Sequence, residues 1–230
     1  MSKKYLVVGG TSGIGNQIVR QLVSLGYEVI VASRESNNIE DLNNVSFQNI
    51  DVTETFELDL PEKLDGLVYC PGSISLKPFH RIKTEEFLDE LQLNTLGATK
   101  VIQQALSALK KSENASIVMF STVAVQTGLT FHTSVAMAKG ALEGFGRALA
   151  SELAPKIRVN LVAPSLTETP LASNLLSSEE KRKANAERHP LKKIGLATDI
   201  ANAAVFLLTE KSSWITGQVL HVDGGMGRLK

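Results

Sequence analysis

The sequence predicts an α/β fold, a doubly wound parallel sheet of about seven strands with helices on both faces. Three observations carry this reading. Short apolar runs rich in β-branched residues recur at 5–8, 28–32, 67–70, 116–120 and 157–163, and each reads as a buried strand. Between them lie segments whose apolar residues repeat at helical spacing. A glycine-rich turn joins the first such run to the first helical pattern.

In chain order, strand 5–8 runs into Gly9, Gly10, Thr11, Ser12, Gly13 and Gly15, then into a helix with the stripe Ile14, Ile18, Leu22 and Leu25, closed by Gly26. Missing Cβ atoms let that turn tighten and let a diphosphate approach the backbone. The N–H groups and helix dipole at Gly13, Ile14 and Gly15 favour its negative charge. The turn therefore reads as a phosphate cradle, spaced G-x-x-x-G-x-G rather than G-x-G-x-x-G, with a ligand-free βα turn as the plain alternative. Strand 28–32 completes a βαβ unit whose crossover should be right-handed. Residues 35–44 are polar and short, so they predict one or two loose turns before strand 45–50.

A fourth strand, 67–70, ends at Pro71-Gly72. Thr84 opens a long helix with the stripe Phe87, Leu91, Leu96, Val101, Ile102, Leu106 and Leu109, interrupted by Asn94. Strand 116–120 follows, then a helix over 128–153 that buries Leu142, Phe145, Leu149 and Leu153 and carries many Ala and Gly residues for close approach. Strand 157–163 stops at Pro164. Residues 165–196 are mixed and polar, bounded by Pro170, Pro190 and Gly195, and read as a mobile lid. A helix over 198–208 and a strand over 217–223 finish the chain.

Length and composition set the bounds. With 230 residues, 43% hydrophobic and 21% charged, the chain builds one globular domain spanning 1–230. Its 24 basic and 24 acidic side chains leave no net field to attract nucleic acid or an anionic membrane, so neither is expected as a partner. The N-terminal residues MSKKYLVVGG lack the apolar stretch and cleavage site of a secretory signal, and the lone Cys70 suits a reducing compartment, so the expected location is the cytoplasm. No metal site is expected.

The glycine spacing, Asp51, the Asn94-Thr95-Leu96-Gly97 context, Pro164 and the ending Ile215-Thr216-Gly217-Gln218 to Val222-Asp223-Gly224-Gly225 stand in the order seen in the short-chain dehydrogenase/reductase family. The chain resembles that family over essentially its whole length, and its ending resembles the acyl-carrier-protein-reductase-like branch. The resemblance implies a Rossmann-like fold and a nicotinamide cofactor. At the end of the second strand an acidic residue would bind the ribose 2′-hydroxyl of NAD, whereas Ser33 and Arg34 suit a 2′-phosphate. With Ser12 they favour NADP(H), NAD(H) remaining possible. By the same resemblance Asp51 and Val52 meet the adenosine, although Asp51 can equally cap its own turn. Tyr69-Cys70-Pro71-Gly72 keeps only the glycine of the usual N-N-A-G, which leaves backbone contacts at Cys70 and Gly72, Cys70 itself reading as a small buried filler. Thr167 and Thr169, after Pro164, would touch the nicotinamide carboxamide. Family members often assemble through the helices bearing Asn94 and Lys139, so a dimer or tetramer of identical chains is implied.

Catalysis in the family uses Tyr-x-x-x-Lys with a serine thirteen residues before the tyrosine. Here Lys139 is present, Val135 stands in the tyrosine place, and Thr122 takes the serine position. The resemblance also gives Asn94 a role in supporting the lysine through water. Reduction of a carbonyl leaves an alkoxide that needs a proton, which the tyrosine normally supplies and Val135 cannot. His132, three residues before Val135, is the leading replacement because imidazole titrates near neutrality; its plain alternative is an ordinary loop histidine. Ser134, Thr133 and Thr122 hold their protons too tightly. The sequence thus points to an oxidoreductase acting on a small-molecule carbonyl or alcohol through Asn94, Thr122, Lys139 and His132, the alternative being a nucleotide-binding regulator or partner subunit without turnover. Nothing in 165–196 separates one substrate class from another.

Overall fold

The computed structural model describes residues 2–229. Its strands are β1 (Lys4–Val8), β2 (Glu28–Ser33), β3 (Val45–Asn49), β4 (Gly66–Tyr69), β5 (Ala115–Phe120), β6 (Ile157–Pro164), β7 (Thr167–Glu168), β8 (Gly195–Leu196) and β9 (Val219–Val222). Seven of them form one parallel sheet in the order β3-β2-β1-β4-β5-β6-β9, and β7 and β8 pair separately. This is the Rossmann-like, doubly wound arrangement expected from the alternating pattern. The winding reverses between β1 and β4, which pair side by side with Val8 opposite Tyr69, and the crevice past their carboxyl ends is where such folds place ligands.

The α-helices are α1 (Gly13–Ser24), α2 (Thr84–Leu91), α3 (Gly97–Leu109), α4 (Ala124–Thr127), α5 (Thr133–Leu153), α6 (Glu179–Glu187) and α7 (Ala197–Leu208). Side chains alternate across the sheet. Leu6, Val8, Leu67, Tyr69, Ile117, Met119 and Leu161 pack with the apolar faces of α3 and α5. Tyr5, Val7, Val31, Val68, Val118 and Phe120 pack with α1 and α7. Because both faces of each central strand are covered, the strands are apolar throughout, which is why they were visible as uninterrupted runs.

Several boundaries differ from expectation for local reasons. The helix expected from 128 starts at Thr133, because Gly128 at φ +65° and Phe131 at φ +66° sit in the left-handed region and only the short α4 fits before them. The long helix expected from Thr84, its stripe interrupted at Asn94, contains a π turn over Gln92–Leu96 that carries Asn94 at its centre. The final strand is Val219–Val222, shorter than 217–223, since Gly217 and Gly224 both have positive φ. Segment 165–196 is more regular than its composition suggested, with β7, a 3₁₀ stretch over Pro170–Leu176, α6 and β8.

Among the described residues no helix is long and apolar enough to cross a membrane.

Candidate active site

The first wall of the site is the β1–α1 turn. Gly13 adopts φ +51°, and a Cβ on Gly15 would stand 2.1 Å from the Gly9 carbonyl oxygen, so helix and strand approach each other as closely as only glycine permits. Ser12 occupies the N-cap without a side-chain cap bond, and the first turn of α1 holds no acidic residue. The leading N–H groups of a helix have no partner within it, so Gly13, Ile14 and Gly15 present donors and a positive dipole end to the crevice.

The crevice continues as a cleft of about 860 Å³, inside the range of roughly 300–1,000 Å³ typical of small-molecule sites. Gly9, Thr11, Ser12, Gly13, Ile14, Gly15, Ser33, Arg34, Asp51, Val52, Cys70, Gly72, Thr122, His132, Lys139, Pro164, Thr167 and Thr169 all line it. Of the residues singled out in the sequence, Asn94 alone is not on the cleft wall: it is wholly buried behind Gly72. A Cβ on Gly72 would lie 3.4 Å from Asn94 Oδ1 and 3.5 Å from Lys139 Nζ, so both atoms converge on that glycine.

At one end, Ser33 is buried and Arg34 exposed, and the Arg34 guanidinium forms no ion pair among the described residues. The Asp51 carboxyl is held below the usual carboxylate range by the hydroxyl and N–H of Thr53, with a smaller contribution from the Arg34 charge. Asp51 thus caps its own turn while lining the cleft. At the other end, α5 projects Val135 and Lys139 one turn apart, each 6% exposed. Burial pulls the Lys139 ammonium down to about 8, opposed by the charge of Glu90 and, less, by Cys70. Burial also pushes the Cys70 thiol up to about 12, so it stays neutral and behaves as a filler.

Thr122 Oγ1 accepts the Ala124 N–H at 3.3 Å, which leaves its hydroxyl hydrogen to point elsewhere. His132 is the N-cap of α5, and its Nδ1 donates to the Thr130 carbonyl at 2.7 Å, so Nε2 is the nitrogen left to exchange a proton. Thr169 covers the glycine turn, its Cγ2 lying 3.3 Å from where a Gly13 Cβ would be.

Several residues around the site escaped sequence reasoning. Glu90 accepts hydrogen bonds from Ser73 Oγ at 2.5 Å and Asn94 Nδ2 at 2.8 Å. Buried Glu143, one turn beyond Lys139, accepts from Ser121 Oγ at 2.6 Å. His189 ties the end of the lid segment back to its start, bonding Ser165 Oγ at 2.8 Å, and its ring also bonds the Asn185 carbonyl at 2.9 Å. The Ser73–Glu90, Ser121–Glu143 and Ser165–His189 contacts bridge residues 17 to 24 positions apart, and no local pattern marks them.

Two buried side-chain polar atoms among the described residues have no hydrogen-bond partner, Ser33 Oγ and Asn94 Oδ1. Unpaired buried polar atoms are costly; one of these is on Ser33, on the cleft wall at the end of β2, and the other is on Asn94, just behind Gly72 on the side of Lys139. A long ligand with polar groups at both ends, and phosphates against the glycine turn between them, fits this pattern, as a nicotinamide dinucleotide would. No group of His, Cys, Asp and Glu suited to a metal ion occurs among the described residues.

A parallel sheet with a ligand cleft at its winding reversal defines the class of Rossmann-like α/β proteins. A family model described as enoyl-(acyl carrier protein) reductase matches residues 8–227. The chain is 34% identical to a tropinone reductase homolog of Arabidopsis thaliana, with 96% of this chain and 91% of that one covered. It is 32% identical to 3-oxoacyl-(acyl-carrier-protein) reductase of Aquifex aeolicus, covering 97% of each. Among solved structures it is similar to ElxO with NADP bound (TM-score 0.87, 29% identity, 98% and 99% coverage) and to a variant of actinorhodin polyketide ketoreductase with NADPH (TM-score 0.89, 25% identity, 99% and 98% coverage). The protein belongs to the short-chain dehydrogenase/reductase family, a family of oxidoreductases.

Proposed function

We propose that this protein interconverts a carbonyl and an alcohol with a nicotinamide cofactor, NADP(H) in preference to NAD(H). The observation that carries the reading is the convergence on one cleft of the glycine turn, the Ser33-Arg34 corner, Thr122 and the 164–169 segment, which follow the carboxyl ends of separate strands, with Lys139 from α5. Gly9 to Gly15 would hold the diphosphate, Ser33 and Arg34 a 2′-phosphate, Asp51 and Val52 the adenosine, and Cys70, Gly72, Pro164, Thr167 and Thr169 the nicotinamide half. When bound, the cofactor supplies or removes the hydride.

The chain's own work is to hold the substrate oxygen and move one proton. Thr122 directs its hydroxyl to the substrate oxygen, Lys139 contributes positive charge beside it, and Asn94 orients the polar groups near Lys139. With Val135 unable to donate, His132 gives its Nε2 proton to the substrate oxygen in the reducing direction. Assayed with NADPH and a panel of small carbonyls, His132→Ala is expected to lower turnover about 10²-fold or more, the low end of general acid catalysis, with NADPH affinity unchanged. Unchanged turnover would remove His132 from the mechanism, and tight NADPH binding without turnover on any carbonyl would remove the enzymatic reading.

Segment 165–196 acts as a lid, carrying Leu166, Leu171 and Leu175 on the cleft wall, and the whole chain works as a single domain. Leu88, Leu96 and Met137 expose apolar surface on and beside the helices that carry Asn94 and Lys139, which supports a homo-oligomer, a dimer or tetramer, formed in the cytoplasm.

A further inference from the structure

Glu90 is a carboxylate in a place that should not tolerate one. It stands near the end of α2, 5% exposed, and burying an unpaired carboxylate costs several kcal/mol. The structure gives it one partner on the cleft wall and one just behind it. Ser73, which lines the cleft, donates its hydroxyl to Oε2 at 2.5 Å, and Asn94 Nδ2 donates to the same oxygen at 2.8 Å. The Glu90 charge acts on the Lys139 ammonium.

The Asn94 amide is thereby oriented without ambiguity. Its nitrogen faces two acceptors, Glu90 Oε2 and the Glu90 backbone carbonyl at 2.9 Å, so that end must be the NH₂. Oδ1 is then turned the opposite way, to the side of Gly72 where Lys139 Nζ also lies. The backbone bond alone would follow from the helical i−4 spacing with any residue at 90. The side-chain bond needs an acceptor there, and only an ionised group adds charge.

We propose that Glu90 is a positioning residue of this site: its carboxylate holds the Asn94 amide with Oδ1 toward Gly72 and Lys139, and sets a buried acid in the polar cluster that Lys139 joins. This rests on Lys139 and Asn94 serving the cleft as proposed above. The titratable groups acting on Lys139 are Glu90, from α2, and the Cys70 thiol, from the end of β4, which is neutral at physiological pH. Among the described residues Glu90 is therefore the carboxylate whose charge acts on Lys139.

The test is made on the ligand-free protein, so it does not depend on cofactor binding. Lysine Cε signals are followed by ¹³C NMR against pH, with Lys139 identified by the signal missing from Lys139→Met. Glu90→Gln keeps the shape and one acceptor but not the charge, and the Lys139 midpoint is expected to fall by roughly one pH unit or more. Ser73→Ala, which keeps the charge, is expected to leave it in place. A folded Glu90→Gln with an unmoved midpoint overturns the proposal. A second measurement reads the Asn94 side chain directly: its NH₂ signals are expected to move in Glu90→Ala, which removes the Oε2 acceptor, and signals that stay fixed in that folded variant overturn it as well. Failure of NADPH to bind would instead overturn the functional reading and leave the Lys139 midpoint as an independent result.

Discussion

Replacing Val135 with tyrosine is expected to raise turnover on small carbonyls by about 10²–10⁴-fold, the span general acid catalysis supplies. Val135 sits on the cleft wall one helical turn before Lys139, so a phenol attached there shares a face of α5 with the ammonium. That positive charge favours the phenolate and brings the phenol's titration toward working pH. A buried valine in a closed core would reject a ring, at about 1–3 kcal/mol for overpacking, but a position on the cleft wall lets the added bulk project into open space. The readout is kcat with NADPH, with the melting temperature as a control for folding. A folded variant that binds NADPH and gains nothing would show that position 135 has no part in proton transfer.

Lys139→Met is expected to reduce turnover at least 10²-fold and, separately, to change how stability depends on pH. In the folded protein the ammonium loses its proton at about 8, against an ordinary value of 10.5 in the unfolded chain. Between those two values the unfolded state binds more protons, so this residue makes wild-type stability rise with pH through that window, by an amount on the order of 3 kcal/mol in all. The buried Cys70 and Tyr5 act in the opposite sense, because burial raises both and the folded state then retains protons that the unfolded state sheds. Comparison of wild type with Lys139→Met cancels the Tyr5 contribution, and made in a Cys70→Ala background it also removes that of Cys70, on which the Lys139 charge acts. Urea unfolding at pH 7.5 and pH 10 is expected to show the gap between the two proteins shifting in favour of wild type as pH rises. A pH-independent gap would mean that Lys139 is not buried as a strained cation.

The fold was legible because its signals are local. Each central strand is covered on both faces and so appears as a continuous apolar run, and the β1–α1 turn announces itself through glycines that no other residue could replace, Gly15 above all. The cleft wall was legible where family resemblance marked a residue beside a strand end, and Arg34, Asp51 and Thr169 all line it. It was not legible where chemistry depends on chain segments meeting. Glu90 looked like one more acid on an amphipathic helix, and only the fold brings Ser73 and Lys139 to it. His189 looked like a polar residue in a loop, and its bond to Ser165 spans 24 positions. Asn94 was noticed as an interruption of a helix, yet the π turn that buries it has no signature in composition.

Direct binding of NADPH and NADH to wild-type protein, followed by cofactor fluorescence or calorimetry, bears most closely on the whole account. The expected result is saturable binding of one NADPH per chain, at least tenfold tighter than NADH because only NADPH offers Arg34 a 2′-phosphate, a difference of about 1.4 kcal/mol or more. If folded protein takes up neither dinucleotide at millimolar concentration, the cleft is not a cofactor site and the proposed reaction falls with it.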